Sequence, residues 1–192
     1  MNNESNKILY INSCVRDNSR TDRLAKALLK KIGDEYTELN LDELNLEPLN
    51  RERLEYRTKL IEMKNYEDKI FEYAKQFSNA ETIVIAAPYW DESYPAILKI
   101  YLENIYVMGI VTDYEMDGTP KGLCSAKKLY YVTTAGGPYN PKYSYEHIKN
   151  LAVNMFGIQN TELIYVENLD ISGNDAETLL KNAIESINGT YS

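Results

Sequence analysis

Short apolar segments alternate along the chain with longer segments in which apolar residues recur every three to four positions. The short segments predict β-strands over residues 7–13, 36–41, 82–87, 128–134 and 162–166. The longer segments predict helices over residues 20–32, 66–78, 95–108, 143–156 and 176–187. Strands that alternate with helices favour a doubly wound parallel α/β sheet with helices on both faces.

The first predicted helix has recognisable boundaries. Ser19 is its expected N-cap, and Asp22 follows three residues later in an approximate capping box. Gly33 comes directly after the last turn, where a helix C-cap favours a positive φ.

The remaining segments carry no repeat, linker or low-complexity tract. Residues 42–65 are long and charged, and we interpret them as a surface excursion that ends in a helix. Residues 110–126 contain glycines and a proline typical of a loop or short hairpin. We therefore expect one domain over residues 1–192, with residues 1–6 flexible.

Charge and composition exclude several classes of protein. The 192 residues include 21 Lys and Arg against 29 Asp and Glu, which gives a net charge of −8. This balance argues against partners such as nucleic acid or an anionic membrane surface. No apolar run is long enough to span a membrane, and the start of the chain lacks the apolar region of a signal peptide.

The chain is poor in residues that bind metals or form disulfides. Two cysteines, Cys14 and Cys124, make neither a disulfide framework nor a zinc motif, which favours the reducing cytoplasm. His147 is the single histidine, so a multi-histidine metal site is excluded and no metal is expected. His147 is either a proton donor to the acceptor or an ordinary helical histidine. For Cys14 we favour a small packed residue over a reactive thiol.

The predicted architecture locates function beyond the carboxyl ends of the strands. The loop after the first strand offers three hydroxyl side chains and two arginines at a helix N-terminus: Ser13, Ser19 and Thr21 with Arg16 and Arg20. Backbone N–H groups and the helix dipole make such a junction an anion site. The loop has neither the GxGxxG motif of dinucleotide-binding proteins nor the GxxxxGK[ST] motif of P-loop proteins. Its hydroxyl-rich composition therefore suits one phosphate monoester better than a pyrophosphate. An ordinary N-capped surface turn is the alternative explanation for the same residues.

Two further loops end the third and fourth strands of the predicted sheet. Pro88, Tyr89 and Trp90 form an aromatic wall suited to a planar ligand, although a cover for the sheet end or a subunit contact explains them too. Gly136 and Gly137 allow close approach of the backbone to a ligand. Three such loops at one sheet edge predict a single binding site.

The order of these motifs resembles the flavodoxin-like NAD(P)H-dependent oxidoreductases, most closely their FMN-dependent azoreductase and quinone reductase branch. The resemblance rests on Ser-x-x-Arg-x-x-Ser-x-Thr before a helix, Ala-Pro-aromatic-Pro, and Thr-x-Gly-Gly. Further matches are DGTPKGL at 117–123 and MFGIQNTELIYVENL at 155–169. The likeness extends from about residue 7 to residue 187.

The resemblance implies a flavodoxin-like sheet in the order 2-1-3-4-5, FMN as cofactor and NADH or NADPH as electron donor. It also implies a homodimer with the active site at the subunit interface. The reaction implied is ping-pong, two-electron reduction of quinones, azo compounds or similar flat acceptors. A non-catalytic electron carrier and a reductase of free flavin or nitroaromatics are the alternatives.

By position, the resemblance assigns three groups of residues to FMN. The phosphate group comprises Ser13, Arg16, Ser19, Arg20 and Thr21. The ring group comprises Pro88, Tyr89, Trp90, Asp91 and Glu92, and the pyrimidine-edge group comprises Thr134, Ala135, Gly136 and Gly137. As a hypothesis, Tyr139 or the adjacent backbone N–H groups stabilise charge at the flavin N1–O2 edge.

The chain departs from the family pattern at two loops. Val15 stands where proline is frequent, and Asp91, followed by Glu92, stands where asparagine is frequent. Two carboxylates beside a flavin that gains negative charge would lower its potential, unless Asp91 is protonated or turned away.

Overall fold

The computed structural model describes residues 8–190 and contains a five-stranded parallel sheet with the strand order β2-β1-β3-β6-β7. This is the predicted order 2-1-3-4-5, because two short strands form a separate antiparallel hairpin between the third and fourth strands of the sheet. The sheet strands are β1 Ile8–Asn12, β2 Tyr36–Asn40, β3 Thr82–Ala86, β6 Lys128–Thr134 and β7 Thr161–Val166. The hairpin strands are β4 Thr112–Tyr114 and β5 Pro120–Gly122.

Six α-helices lie within the described residues, five between strands and one after the last strand. Their bounds are α1 Arg20–Ile32, α2 Arg51–Glu62, α3 Glu72–Asn79, α4 Ala96–Ile105, α5 Tyr145–Leu151 and α6 Ala176–Thr190. No helix in residues 8–190 is both long enough and apolar enough to cross a membrane.

Alternate side chains of each strand face opposite sides of the sheet and build two cores. On one side Ile11 and Ile85 are buried with residues of α3 and α4, such as Phe77 and Leu98. On the other side the core is formed with α1 and α6, and includes Tyr10, Val84, Leu24, Leu28 and Leu180. Helices on both faces explain why β3 is apolar along its whole length.

Two predicted helices are shorter or less regular in the structure. The helix expected over residues 66–78 begins as a 3₁₀ turn at Lys69–Phe71, because the carboxylate of Asp68 accepts the Ile70 N–H at 2.9 Å. The helix expected over 143–156 is α-helical only in α5, and continues as a π-helical turn over Ala152–Phe156.

Gly33 does follow α1, but its φ of 163° is extended, so the prediction of a positive φ there was wrong. A Cβ atom at this position would lie 2.8 Å from Cδ1 of Ile8. A larger residue would therefore have to displace the end of the Ile8 side chain, whereas the backbone conformation does not require glycine.

The segment predicted as a surface excursion contains α2. Its N-cap is Asn50, whose side chain accepts the Arg53 N–H at 2.9 Å, and Leu60 is its buried residue. The expected flexibility of residues 1–6 concerns residues outside the described part of the chain. The prediction of one domain over residues 1–192 stays a prediction.

Candidate active site

A cavity of about 390 Å³ lies at the carboxyl edge of the sheet, where the three predicted loops meet. The residues that line it are Val15, Arg16, Asn18, Ser19, Arg20, Thr21, Pro88, Tyr89, Trp90, Thr134, Ala135, Gly136, Leu169 and Asp170. Most of the predicted cofactor-binding residues are thus brought together. Ser13, Asp91, Glu92 and Gly137 are not among the residues that line the cavity.

One end of the cavity is formed by the N-terminus of α1. The Ser19 hydroxyl accepts the Asp22 N–H at 3.4 Å, which confirms the predicted N-cap. Other N–H groups of the first helical turn have no partner within the helix, and they are available to an anion. Arg16 and Arg20 add two positive charges to this end.

Ser13 and Cys14 lie beneath the first loop, because their side chains turn into the protein. Ser13 is fully buried, and its hydroxyl donates to the carbonyl oxygen of Ala86 at 2.8 Å. The Cys14 N–H donates to the side-chain oxygen of Asn12 at 3.0 Å, which anchors the start of the loop to β1. Burial raises the pKa of the Cys14 thiol to about 12, as expected for a packed rather than a reactive cysteine.

The second loop contains a tight turn that directs Asp91 and Glu92 into solvent. Trp90 and Ser93 exchange two backbone hydrogen bonds of 2.9 and 2.8 Å around these residues. Asp91 and Glu92 have φ values of 49° and 63°, the two positive values of a type I′ turn. Both side chains are exposed at the tip of this turn, so the carboxylates are turned away from the cavity.

The aromatic wall of the cavity is fixed from several sides. The Tyr89 N–H donates to the Thr134 carbonyl at 3.1 Å, which joins the second loop to the end of β6. The guanidinium of Arg16 lies 5.7 Å from the centre of the Trp90 ring, a cation–π contact. The Tyr89 ring packs edge-on against Tyr139, with ring centres 4.9 Å apart.

The third loop is held to α1 and to the segment that follows β7. The hydroxyls of Thr21 and Thr134 share a buried hydrogen bond of 2.7 Å. The carbonyl of Gly136 accepts the Asp170 N–H at 2.8 Å, which brings Asp170 to the cavity beside Leu169. A Cβ atom at Gly136 would lie 2.5 Å from a carboxylate oxygen of Asp170, so a larger residue there would displace this carboxylate.

Four lining residues were not predicted from the sequence: Val15, Asn18, Leu169 and Asp170. The first two lie inside a loop that was selected for its hydroxyls and arginines. The other two follow the last strand of the sheet, and the rule that ligands bind at the carboxyl ends of strands applies to that strand as well. Their position in the loop after β7 is therefore the signal in the sequence that points to them.

Tyr139 is not among the residues that line the cavity, but its ring packs against Tyr89, which is. Its hydroxyl is 2.9 Å from the Ser144 hydroxyl, and its N–H donates to Glu167 at 2.6 Å. Burial raises the pKa of Tyr139, so its hydroxyl is protonated at neutral pH and able to donate. The predicted charge-stabilising role of Tyr139 stays a prediction.

His147 lies outside the set of residues that line the cavity and pairs with Tyr94. The Tyr94 hydroxyl is 2.6 Å from Nδ1 of His147, and the two rings are stacked with centres 5.9 Å apart. Burial and the nearby Lys99 ammonium lower the pKa of His147 from 6.5.

Comparisons with known proteins identify the fold and the family of the chain. A family model described as a flavodoxin-like fold matches residues 6–189. An FMN-dependent NADH:quinone oxidoreductase of Clostridium perfringens is 33% identical, with 93% of this chain and 94% of the relative covered. A second, of Clostridium acetobutylicum, is 34% identical with the same coverage.

Solved structures of azoreductases share the fold. The azoreductase of Bacillus anthracis str. Sterne superposes with a TM-score of 0.83 at 21% identity, over 96% of this chain and 98% of that one. An FMN-dependent NADH-azoreductase of Bacillus anthracis str. Ames Ancestor, in complex with FMN, gives 0.78 at 22% identity over 97% of each chain. The chain therefore belongs to the flavodoxin-like family of FMN-dependent NAD(P)H oxidoreductases, in the branch of the quinone reductases and azoreductases.

Proposed function

We propose that this protein holds one FMN in the cavity at the sheet edge and uses NADH to reduce quinones or similar flat acceptors. The observation that carries the proposal is that two parts of the cavity differ in chemistry. Arg16, Arg20 and the start of α1 form an anion-binding end, and Tyr89 with Trp90 forms an aromatic wall. The sequence relatives named as FMN-dependent NADH:quinone oxidoreductases support the choice of cofactor, donor and acceptor.

The donor set of the cavity fits FMN. A phosphate monoester needs positive charge and N–H or O–H donors, which Arg20, Ser19 and the first turn of α1 supply. A flat ring system needs an apolar wall and room for close backbone contact, which Trp90 and Gly136 supply. The volume of about 390 Å³ lies within the range of ~300–1,000 Å³ that ligand sites occupy.

When bound, FMN supplies reversible two-electron chemistry, so that NADH, a proton and a quinone become NAD⁺ and a hydroquinone. The residues of this chain would bind the phosphate and fix the plane of the ring. We infer that donor and acceptor bind beside the ring in turn, which is a ping-pong scheme. The Tyr139 hydroxyl or the N–H groups of the Gly136–Gly137 backbone remain the proposed source of charge stabilisation at the flavin N1–O2 edge.

We also propose that the active form is a homodimer with the site at the interface. Exposed apolar side chains near the cavity support this, among them Val15, Tyr143, Tyr165 and Ile171, which are 41–52% exposed. Light scattering coupled to size-exclusion chromatography tests the assembly. A mass of one chain of 22.1 kDa at micromolar concentration would overturn it.

The experiment that tests the function begins with flavin binding. The purified protein is incubated with FMN, desalted and denatured, and the released flavin is identified by chromatography. NADH oxidation is then followed with a quinone and with an azo dye as acceptors, and parallel double-reciprocal plots are expected for a ping-pong scheme. FMN binding without NADH oxidation would favour an electron carrier, and failure to bind FMN would overturn the proposal.

A pair of arginine variants tests the anion-binding end. Arg20→Gln removes a charge that lines the cavity, and Arg23→Gln removes a charge on the same helix that pairs instead with Glu177. Hydrogen bonds to charged groups contribute about 1.5–3 kcal/mol, so Arg20→Gln should weaken FMN binding roughly 10- to 100-fold. Arg23→Gln should leave the dissociation constant unchanged, and equal losses in both variants would contradict the assignment.

A further inference from the structure

The anion-binding end of the cavity contains a carboxylate as well as arginines. Asp170, which follows β7, accepts a 2.8 Å hydrogen bond from the Arg20 guanidinium at the start of α1. It is the one acidic side chain among the residues that line the cavity. The two residues are 150 positions apart in sequence, so this ion pair exists only in the folded protein.

The position of Asp170 is fixed by the backbone. Its N–H donates to the Gly136 carbonyl, and its carboxylate occupies the space that a Cβ atom at Gly136 would need. The backbone of Asp170 is therefore held at a place from which its carboxylate reaches Arg20. Any anion that binds Arg20 must either share this guanidinium with Asp170 or displace the carboxylate.

The second arginine does not remove this conflict. Arg16 is held over the Trp90 ring, so both cations of the site have a protein partner before an anion arrives. A phosphate monoester carries a charge of about −1.5 to −2 at neutral pH, and the same end of the cavity would bring it near the Asp170 carboxylate. Two negative charges that share one guanidinium lie close together, and they repel each other even in water.

We propose that Asp170 is a specificity-determining residue that competes with the phosphate of FMN for Arg20. This inference rests on the proposed function, because FMN supplies the phosphate. Before FMN binds, the Asp170 carboxylate orients the Arg20 guanidinium and balances its charge. When FMN binds, its phosphate replaces this carboxylate as the negative partner of Arg20. The net gain from the phosphate is therefore smaller than two arginines alone would provide. Riboflavin, which lacks the phosphate, is not subject to this competition.

The test compares FMN and riboflavin binding in matched variants. Dissociation constants are measured by quenching of flavin fluorescence at an ionic strength of about 0.1 M, where charges on the ~10 Å scale still interact. Asp170→Asn removes the competing charge with little change of shape, and Asp170→Ala serves as a second variant. Glu177→Gln is the control, because it removes the same charge from another ion pair to α1, that of Arg23, outside the cavity.

Asp170→Asn should tighten FMN binding about two- to fivefold, the range expected for a partly exposed ion pair. Riboflavin binding should not change in that variant, and Glu177→Gln should bind both ligands as the wild type does. The FMN effect should shrink in high salt, because screening weakens charge interactions.

Three results would overturn the inference. An unchanged FMN constant in both Asp170 variants would show that the carboxylate does not compete with phosphate. Equal weakening for FMN and riboflavin would show instead that Asp170 accepts hydrogen bonds from the ribityl hydroxyls, which both ligands carry. Failure of the wild type to bind FMN at all would overturn the proposed function, and this inference with it.

Discussion

Two neighbouring threonines of β6 lead to opposite predictions for the same substitution. The Thr134 hydroxyl shares a 2.7 Å hydrogen bond with the Thr21 hydroxyl, and both groups are buried. The Thr133 hydroxyl is also buried and has no hydrogen-bond partner among the described residues. Valine has nearly the shape of threonine, so Thr134→Val and Thr133→Val change hydrogen bonding with little change in packing.

The expected magnitudes follow from these contacts. Thr134→Val removes a hydrogen bond worth about 0.5–1.5 kcal/mol and leaves the Thr21 hydroxyl buried, so we expect a loss of about 1–3 kcal/mol. Thr133→Val removes a buried hydroxyl whose desolvation is not compensated, so we expect a gain of about 1 kcal/mol. The two variants should therefore differ by roughly 2–4 kcal/mol in the free energy of unfolding.

Urea denaturation of the flavin-free protein, followed by circular dichroism, measures this difference. With a slope of about 2 kcal/mol per molar urea, the midpoints of the two variants should lie about 1–2 M apart. Equal slopes would show that the compactness of the denatured state has not changed. The reasoning would be refuted if Thr133→Val destabilised the protein as much as Thr134→Val does.

Three further predictions concern other parts of the molecule. Glu92→Gly should raise the free energy of unfolding by about 0.5–1 kcal/mol, because glycine adopts the positive φ of 63° at this position without strain. The control is Glu52→Gly in exposed α2, which should lower the free energy of unfolding by about 1 kcal/mol. Thermal or urea denaturation measures both changes. Cys14, with its pKa raised to about 12, should be alkylated at pH 8 at least about 100-fold more slowly in the folded than in the urea-unfolded protein, as followed by mass spectrometry. His147 should titrate below 6.5 in proton NMR, and Lys99→Gln should raise its pKa. The folded state then binds fewer protons than the unfolded state, so this histidine makes the free energy of unfolding fall as the pH drops below about 6.5. A measured pKa of His147 above 6.5 would contradict this assignment.

The strands and helices were predictable because hydrophobic periodicity reports burial directly, whereas the order of the strands in the sheet came from the family resemblance. β3 is covered on both faces and reads as a continuous apolar run, whereas α1 shows a single apolar stripe with Leu24 and Leu28 fully buried. Helix ends were less predictable, because they depend on particular hydrogen bonds. The carboxylate of Asp68, for example, caps a 3₁₀ turn where periodicity alone predicts a regular helix.

The candidate site was predictable as a set of loops, but the direction of each side chain was not. Ser13 has the residue type of a phosphate ligand, yet its hydroxyl donates to Ala86 inside the sheet. Asp91 and Glu92 follow the aromatic wall in sequence, yet the turn between Trp90 and Ser93 directs them outward. These outcomes depend on hydrogen bonds between distant or turn residues, which sequence spacing does not encode.

The cavity is built from segments at both ends of the chain, from Val15 near the start to Asp170 after the last strand. During synthesis on the ribosome, this site therefore exists only once β7 has emerged and paired with β6. A cofactor bound there contacts residues from the first and last quarters of the chain, so it stabilises only molecules in which both parts have folded. At a free concentration 100 times its dissociation constant, such a ligand would add about 2.7 kcal/mol to the stability of the whole fold.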